Sequence, residues 1–135
     1  MRRAALFGGL GYAEDANDEV ACIVMIETRE GLDNLEASVA TAGLGGVYIG
    51  PSDLGLALGL GPKGDSDDPI YLAAVSRILE TSKAAGVPVG IHTASLAFAK
   101  LRLEAGFEFV TLGSDLGFMM QAVRTDLMEA RKDIR

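Results

Sequence analysis

Four short apolar runs punctuate the chain: Ala21–Ile26, Gly46–Ile49, Val87–Ile91 and Phe107–Leu112. None alternates cleanly between apolar and polar residues, which suits strands covered on both faces and therefore a parallel sheet. Each run is followed by a stretch of helical period. After the first, Leu32, Leu35, Val39 and Ala40 recur at i, i+3, i+7 and i+8 among Glu30, Asp33, Asn34 and Glu36. After the second comes a Gly-rich loop, Leu54 to Asp68, and then Pro69 at the first turn of a helix. That helix carries Leu72, Val75, Ile78 and Leu79 on one face and ends near Gly86. The third run leads into a helix over Thr93 to Ala105, closed by Gly106, and the fourth into one over Leu116 to Arg131.

The pattern predicts βαβαβαβα, preceded by an irregular Gly-rich lead over residues 1–19. Repeated βα units imply right-handed crossovers and an α/β fold with a parallel sheet. Two architectures fit: an open doubly wound sheet, or part of a TIM (β/α)8 barrel. The open sheet requires a topological switch point that the pattern does not display. A full barrel takes ~200–250 residues, so a chain of 135 residues corresponds to about half of one. Residues 1–135 are read as a single partial (β/α)-barrel domain.

Composition narrows the function. Twelve Lys and Arg against 19 Asp and Glu leave a formal charge of −7. That balance argues against nucleic acid or an anionic membrane surface as partner, since both require clustered cations. At 49% hydrophobic residues the chain is too apolar for disorder. One cysteine, Cys22, permits neither an intrachain disulfide nor a Cys-based zinc site. With no apolar stretch of ~18 residues and no signal-like leader, the expectation is a cytoplasmic protein.

In either architecture, chemistry collects at the carboxyl ends of the strands. The first run ends in Glu27-Thr28-Arg29-Glu30. A carboxylate after several buried residues is costly to leave unpaired; its plainer role is to face a helix N-terminus. The second run ends in Gly50-Pro51-Ser52-Asp53, a turn in which Ser52 or Asp53 could cap a helix and backbone N–H groups could converge on a carboxylate or phosphate. Taken together, Glu27 and Asp53 end two consecutive strands, expected ~4.8 Å apart. Two such carboxylates repel unless one protonates or a divalent cation neutralises both. Oxygen ligands without Cys or a nearby His favour a hard ion such as Mg²⁺ or Mn²⁺. His92 ends the third run, either as an acid/base group or as a hydrogen-bonding residue at the rim. Ser114 and Asp115, after the fourth, read as helix caps, with a place at the site mouth as the alternative for Asp115. The Gly55–Gly64 segment lacks the order of a nucleotide-binding loop. Met119, Met120 and Met128 read as packing or interface residues.

Two segments, Met25-Ile26-Glu27-Thr28-Arg29-Glu30-Gly31-Leu32-Asp33-Asn34 and Gly46-Val47-Tyr48-Ile49-Gly50-Pro51-Ser52-Asp53-Leu54, resemble the HpcH/HpaI aldolase/citrate lyase family, and within it the 4-hydroxy-2-oxo-heptanedioate type aldolases. Further likeness runs through Gly86–Ile91 and Phe107–Asp115, and the lead resembles the segment before the family's fifth strand. The resemblance implies a metal-dependent barrel lyase that cleaves 4-hydroxy-2-oxo acids to pyruvate and an aldehyde. By position, Glu27 and Asp53 would hold the divalent metal (Mg²⁺ or Mn²⁺, with Co²⁺ also compatible). The backbone around Ser52 and Asp53 would receive the substrate carboxylate. Met25 stands where many members carry Gln. The family's catalytic His and substrate-binding Arg lie on early strands that would precede Met1, and neither His92 nor Arg3 matches them in position. The chain is thus expected to correspond to the carboxyl-terminal half, with little activity alone.

The competing expectation is a non-catalytic α/β module that binds metal or small carboxylates, or serves only in assembly. Under either reading, four strands of a parallel barrel leave unpaired edges and an uncovered inner face, expected from Ile23, Met25, Val47, Ile49, Val89, Ile91, Val110 and Leu112. The last helix adds a stripe of Leu116, Met119, Met120, Val123 and Leu127. A homo-oligomer is therefore expected, and the resemblance, whose members assemble through carboxyl-terminal helices, implies the same.

Overall fold

The computed structural model describes residues 11–132. Expectations resting on Arg3, the Arg3–Gly8 segment and residues 133–135 lie outside them. Four strands form one parallel sheet: β1 (Cys22–Met25), β2 (Leu44–Ile49), β3 (Val89–His92) and β4 (Phe109–Thr111). They are hydrogen-bonded in chain order. The helices are α1 (Tyr12–Glu19), α2 (Arg29–Asp33), α3 (Leu35–Val39), α4 (Pro51–Ala57), α5 (Pro69–Ala84), α6 (Leu96–Glu104) and α7 (Asp115–Lys132). Sequential parallel order with right-handed crossovers puts every connection on the same face of the sheet, as in consecutive staves of a barrel. A doubly wound sheet would reverse direction within the order, and this one does not.

Local chemistry sets most of the boundaries. Thr28 caps α2 by accepting from the Gly31 N–H at 3.0 Å. Asp68 caps α5 by accepting from the Ile70 N–H at 2.9 Å, with Pro69 in the first turn as expected. Ser95 caps α6, and Gly106 follows it at φ +99°, a left-handed turn that suits glycine. Three expectations change in detail. Residues 12–19, expected to be irregular, form α1, whose polar run Glu14-Asp15-Ala16-Asn17-Asp18-Glu19 hid it from an apolar-period reading. The helix after β1 breaks at Asn34 into α2 and α3. The loop expected over Leu54–Asp68 begins as α4, which runs to Ala57 before the glycines end it.

The core lies between the sheet and its helices. Val47, Ile49, Val89 and Ile91 are fully buried there against Leu35, Leu54, Tyr71 and Ile78. These four strand residues, and Val110, which pairs with Ile91 and packs against the same core, were expected on the inner barrel face and instead point outward, toward the helices. The register shows why: Val47 pairs Val89 and Ile49 pairs Ile91, so the alternate positions Tyr48, Gly90, His92, Phe109 and Thr111 share the opposite face. Ile23 and Met25 do belong to that inner face, paired with Gly46 and Tyr48, and both are about half exposed. An apolar run without alternation carries no parity, so sequence alone could not assign the faces.

On the inner face the Phe109 ring lies flat over the backbone at Gly90, where a Cβ would collide with it. Phe109 also stacks on Tyr48, with ring centroids 5.9 Å apart. Gly90 is required here for close approach rather than for its backbone angles.

Candidate metal and substrate site

The inner face and the carboxyl ends of the strands meet in a recess of about 200 Å³ lined by Met25, Glu27, Tyr48, Gly50, Pro51, Ser52, Asp53 and His92. Glu27 leaves β1 on the inner side. Thr28 takes over the capping of α2, so the Glu27 carboxylate is not spent on that helix terminus. It lies instead against Gly50: a Cβ on Gly50 would land on Glu27 Oε2. Oε2 is fully buried and has no hydrogen-bond partner among the described residues. Burial raises the Glu27 pKa above the ordinary carboxylate value, and the neighbouring Asp53 charge raises it further.

Gly50 is the N-cap residue of α4, and no side chain caps that helix. Ser52 and Asp53, expected as possible caps, lie inside the first turn instead, both exposed. Pro51 at the start of the helix fixes the turn. One further bond holds the two halves of the recess together: the Arg29 guanidinium, two residues past Glu27, donates to the Ala57 carbonyl at the end of α4 at 2.8 Å. No local pattern in the sequence marks Arg29 for this contact.

A buried carboxylate oxygen of Glu27, in one recess with the Asp53 carboxylate and within reach of its charge, suits a small hard cation. Among the described residues, each observation removes a competing partner: no hydrogen bond to Oε2, no Cβ at residue 50, and no cationic side chain lining the recess. No group of three or more His, Cys, Asp or Glu gathers among the described residues. The protein ligands would then be Glu27 and Asp53, leaving positions for water and substrate.

His92 is in the recess as well, which sequence position left open. Its Nδ1 lies 2.7 Å from Thr111 Oγ1 and 3.4 Å from the Tyr48 hydroxyl, and those two hydroxyls are 2.9 Å apart. Tyr48 and Thr111 went unnoticed because both lie within apolar runs. Their one visible signal was a polar tip inside a strand. Ser114 and Asp115 act at the start of α7: Ser114 Oγ accepts from the Gly117 N–H, and Asp115 Oδ1 accepts from the Leu116 N–H. Asp115 is not among the residues that line the recess. A larger recess of about 500 Å³ between α6, β4 and α7 is lined by Ser95, Leu112, Ser114 and Phe118, among others. Its two serines already cap helices, and it carries no ionisable side chain.

Sequential parallel strands with paired carboxylates at their carboxyl ends define a (β/α)-barrel protein of the kind whose site sits at the strand ends. The chain belongs to the HpcH/HpaI aldolase/citrate lyase family, whose model matches residues 2–122. It is 40% identical over 130 residues to a hydroxypyruvate/pyruvate aldolase of Rhizorhabdus wittichii, covering 96% of this chain and 52% of that protein. It is 39% identical over 123 residues to a 5-keto-4-deoxy-D-glucarate aldolase of an Enterobacter species, covering 90% of this chain and 47% of that protein. A crystal structure of an HpcH/HpaI aldolase/citrate lyase family protein from Burkholderia cenocepacia superposes with a TM-score of 0.80 at 38% identity, over 96% of this chain and 50% of that one. The chain therefore spans about half the length of the relatives it matches, and its fold is a part of their barrel. Among the described residues, no helix is long and apolar enough to cross a membrane.

Proposed function

We propose that these residues form the metal-binding and 2-oxo-acid-binding part of a class II aldolase that cleaves 4-hydroxy-2-oxo acids to pyruvate and an aldehyde. The observation that carries this reading is the orphaned, buried Oε2 of Glu27 beside Asp53. The names of the relatives supply the carbon–carbon lyase chemistry. Glu27 and Asp53 hold Mg²⁺ or Mn²⁺, which when bound supplies Lewis-acid stabilisation of the negative charge that develops on the 2-oxo oxygen during cleavage. The backbone at Ser52 and Asp53 receives the substrate carboxylate. Tyr48, Met25 and Pro51 supply the apolar lining of the recess beside these polar groups. Thr28 and Arg29 keep the Glu27 carboxylate aimed across Gly50 by holding the start of α2 and the end of α4. The base that removes the 4-hydroxyl proton is assigned to none of these side chains, in keeping with the early-strand histidine that the resemblance implies.

Two measurements test this. Titration calorimetry with Mg²⁺ or Mn²⁺ should show binding that Glu27→Gln abolishes; unchanged affinity in that variant rules out the assignment. Little pyruvate release from a panel of 4-hydroxy-2-oxo acids is expected of the 135-residue chain alone; in an intact barrel of this kind the release should be suppressed by chelator, and Asp53→Asn should lower kcat/KM by orders of magnitude.

A further inference from the structure

The recess contains a second polar group that the cation does not require. His92 is two strands from β1 and one strand spacing, ~4.8 Å, beyond β2. It therefore faces whatever part of a substrate extends past the 2-oxo-acid end. Its Nδ1 is engaged by Thr111 Oγ1 at 2.7 Å, and the Tyr48 hydroxyl stands behind Thr111 at 2.9 Å. Among the described residues no hydrogen bond occupies Nε2, and Nε2 is not among the buried unpartnered atoms, so it opens to the recess that His92 lines. The direction of the chain of hydrogen bonds follows from the groups. The Tyr48 phenol is a better donor than an aliphatic hydroxyl, and an imidazole nitrogen is a better acceptor. Tyr48 then donates to Thr111 Oγ1, Thr111 donates to Nδ1, and the neutral ring carries its proton on Nε2. A ring held this way presents one fixed donor and cannot easily turn.

We propose that His92 is a substrate-recognition residue of this recess, and that its Nε2–H, aimed by the Thr111 and Tyr48 hydroxyls, donates to the 4-hydroxyl oxygen of a hydroxylated 2-oxo acid. Thr111 and Tyr48 are positioning residues that fix the tautomer. The proposal rests on the reading of Glu27 and Asp53 as the anchor of the 2-oxo acid, and its test separates the two.

The probes are 4-hydroxy-2-oxopentanoate and 2-oxopentanoate, which differ only in the hydroxyl. Titration calorimetry at saturating Mg²⁺ should show the hydroxylated acid binding about 3–10-fold tighter, the worth of one net hydrogen bond of ~0.5–1.5 kcal/mol. His92→Phe should remove that preference, so that the two acids bind with similar affinity, and His92→Gln, which keeps a donor, should restore part of it. His92 is the only histidine in the chain, so its ring nitrogens are unambiguous by NMR. Nε2 should resonate as the protonated nitrogen, and Thr111→Val should shift the ring toward a mixture of tautomers. Equal binding of the two acids by the wild type, or a preference that survives in His92→Phe, overturns the role of His92 alone. Failure of either acid to bind with Mg²⁺ overturns the anchor reading and this proposal together.

Discussion

Gly50 decides more at the candidate site than any charged residue does. Its missing Cβ leaves the space that Glu27 Oε2 occupies, and its backbone angle of φ −94° is open to any residue, so the requirement is purely steric. Gly50→Ala should push the carboxylate aside at small cost to the fold, because the displaced atom is the end of a flexible side chain. Cation affinity should fall about 10–100-fold, as for lost orientation of a metal ligand, with an unfolding midpoint close to that of the parent chain. Calorimetry and denaturant unfolding on the same sample check both halves. A contrast follows for Glu27→Gln: it removes a buried charge without a partner, so it should abolish cation binding without lowering the stability of the metal-free chain.

Among the elements, the loop between α4 and α5 is fastened by an ion pair that the sequence did not announce. Arg102 on α6 reaches Asp65, with its Nε 3.1 Å from Oδ2, and both side chains are nearly inaccessible, at 8% and 2% exposure. The Tyr71 hydroxyl on α5 donates to the same carboxylate at 3.4 Å. Removing one partner leaves the other as a buried unpaired charge. Arg102→Met should therefore cost about 3–5 kcal/mol, and adding Asp65→Asn should recover part of it; urea unfolding of the two variants measures the difference. Tyr71 itself titrates far above the ordinary phenol range, first because it is buried and then because Asp65 is near. A phenol whose folded pKa is raised stays protonated in the native state while the unfolded chain ionises. Stability should thus be unaffected below about pH 10 and fall as the pH rises beyond it. Tyr71→Phe should flatten that alkaline fall in a pH series of thermal midpoints.

At the scale of the whole molecule, the described residues leave the β1 end of the inner sheet face and one helix exposed. Ile23 and Met25 are 49% and 52% exposed on the inner face. No residue of α7 is buried, and Leu116, Phe118, Met119, Val123 and Leu127 are all exposed along it. Clustered exposed apolar side chains of this kind mark a surface that binds another apolar surface. The expected outcome for the 135-residue chain is self-association through α7 and the open face. Light scattering at micromolar concentration checks it: a cooperatively unfolding species near 14.1 kDa would show that the exposed surface needs no partner.

How much of this was legible beforehand depends on the kind of signal. The four strands, the helix from Pro69, the cap glycine at 106 and the strand-end positions of Glu27 and Asp53 are local facts, written in short runs and single residues. The helix over residues 12–19 was missed because it lacks an apolar stripe, and the Ser52 or Asp53 cap because Gly50 takes that position without one. Sequence alone determined that the chain is a run of βα units with two carboxylates at consecutive strand ends, because residue type and spacing suffice for both. Only the tertiary structure decided which side of each strand faces the helices, since a strand buried on both faces shows no alternation. It also brought Tyr48, His92 and Thr111 together across β2, β3 and β4 and set Glu27 against Gly50. Those contacts depend on register between residues up to 63 positions apart, and no local pattern encodes register.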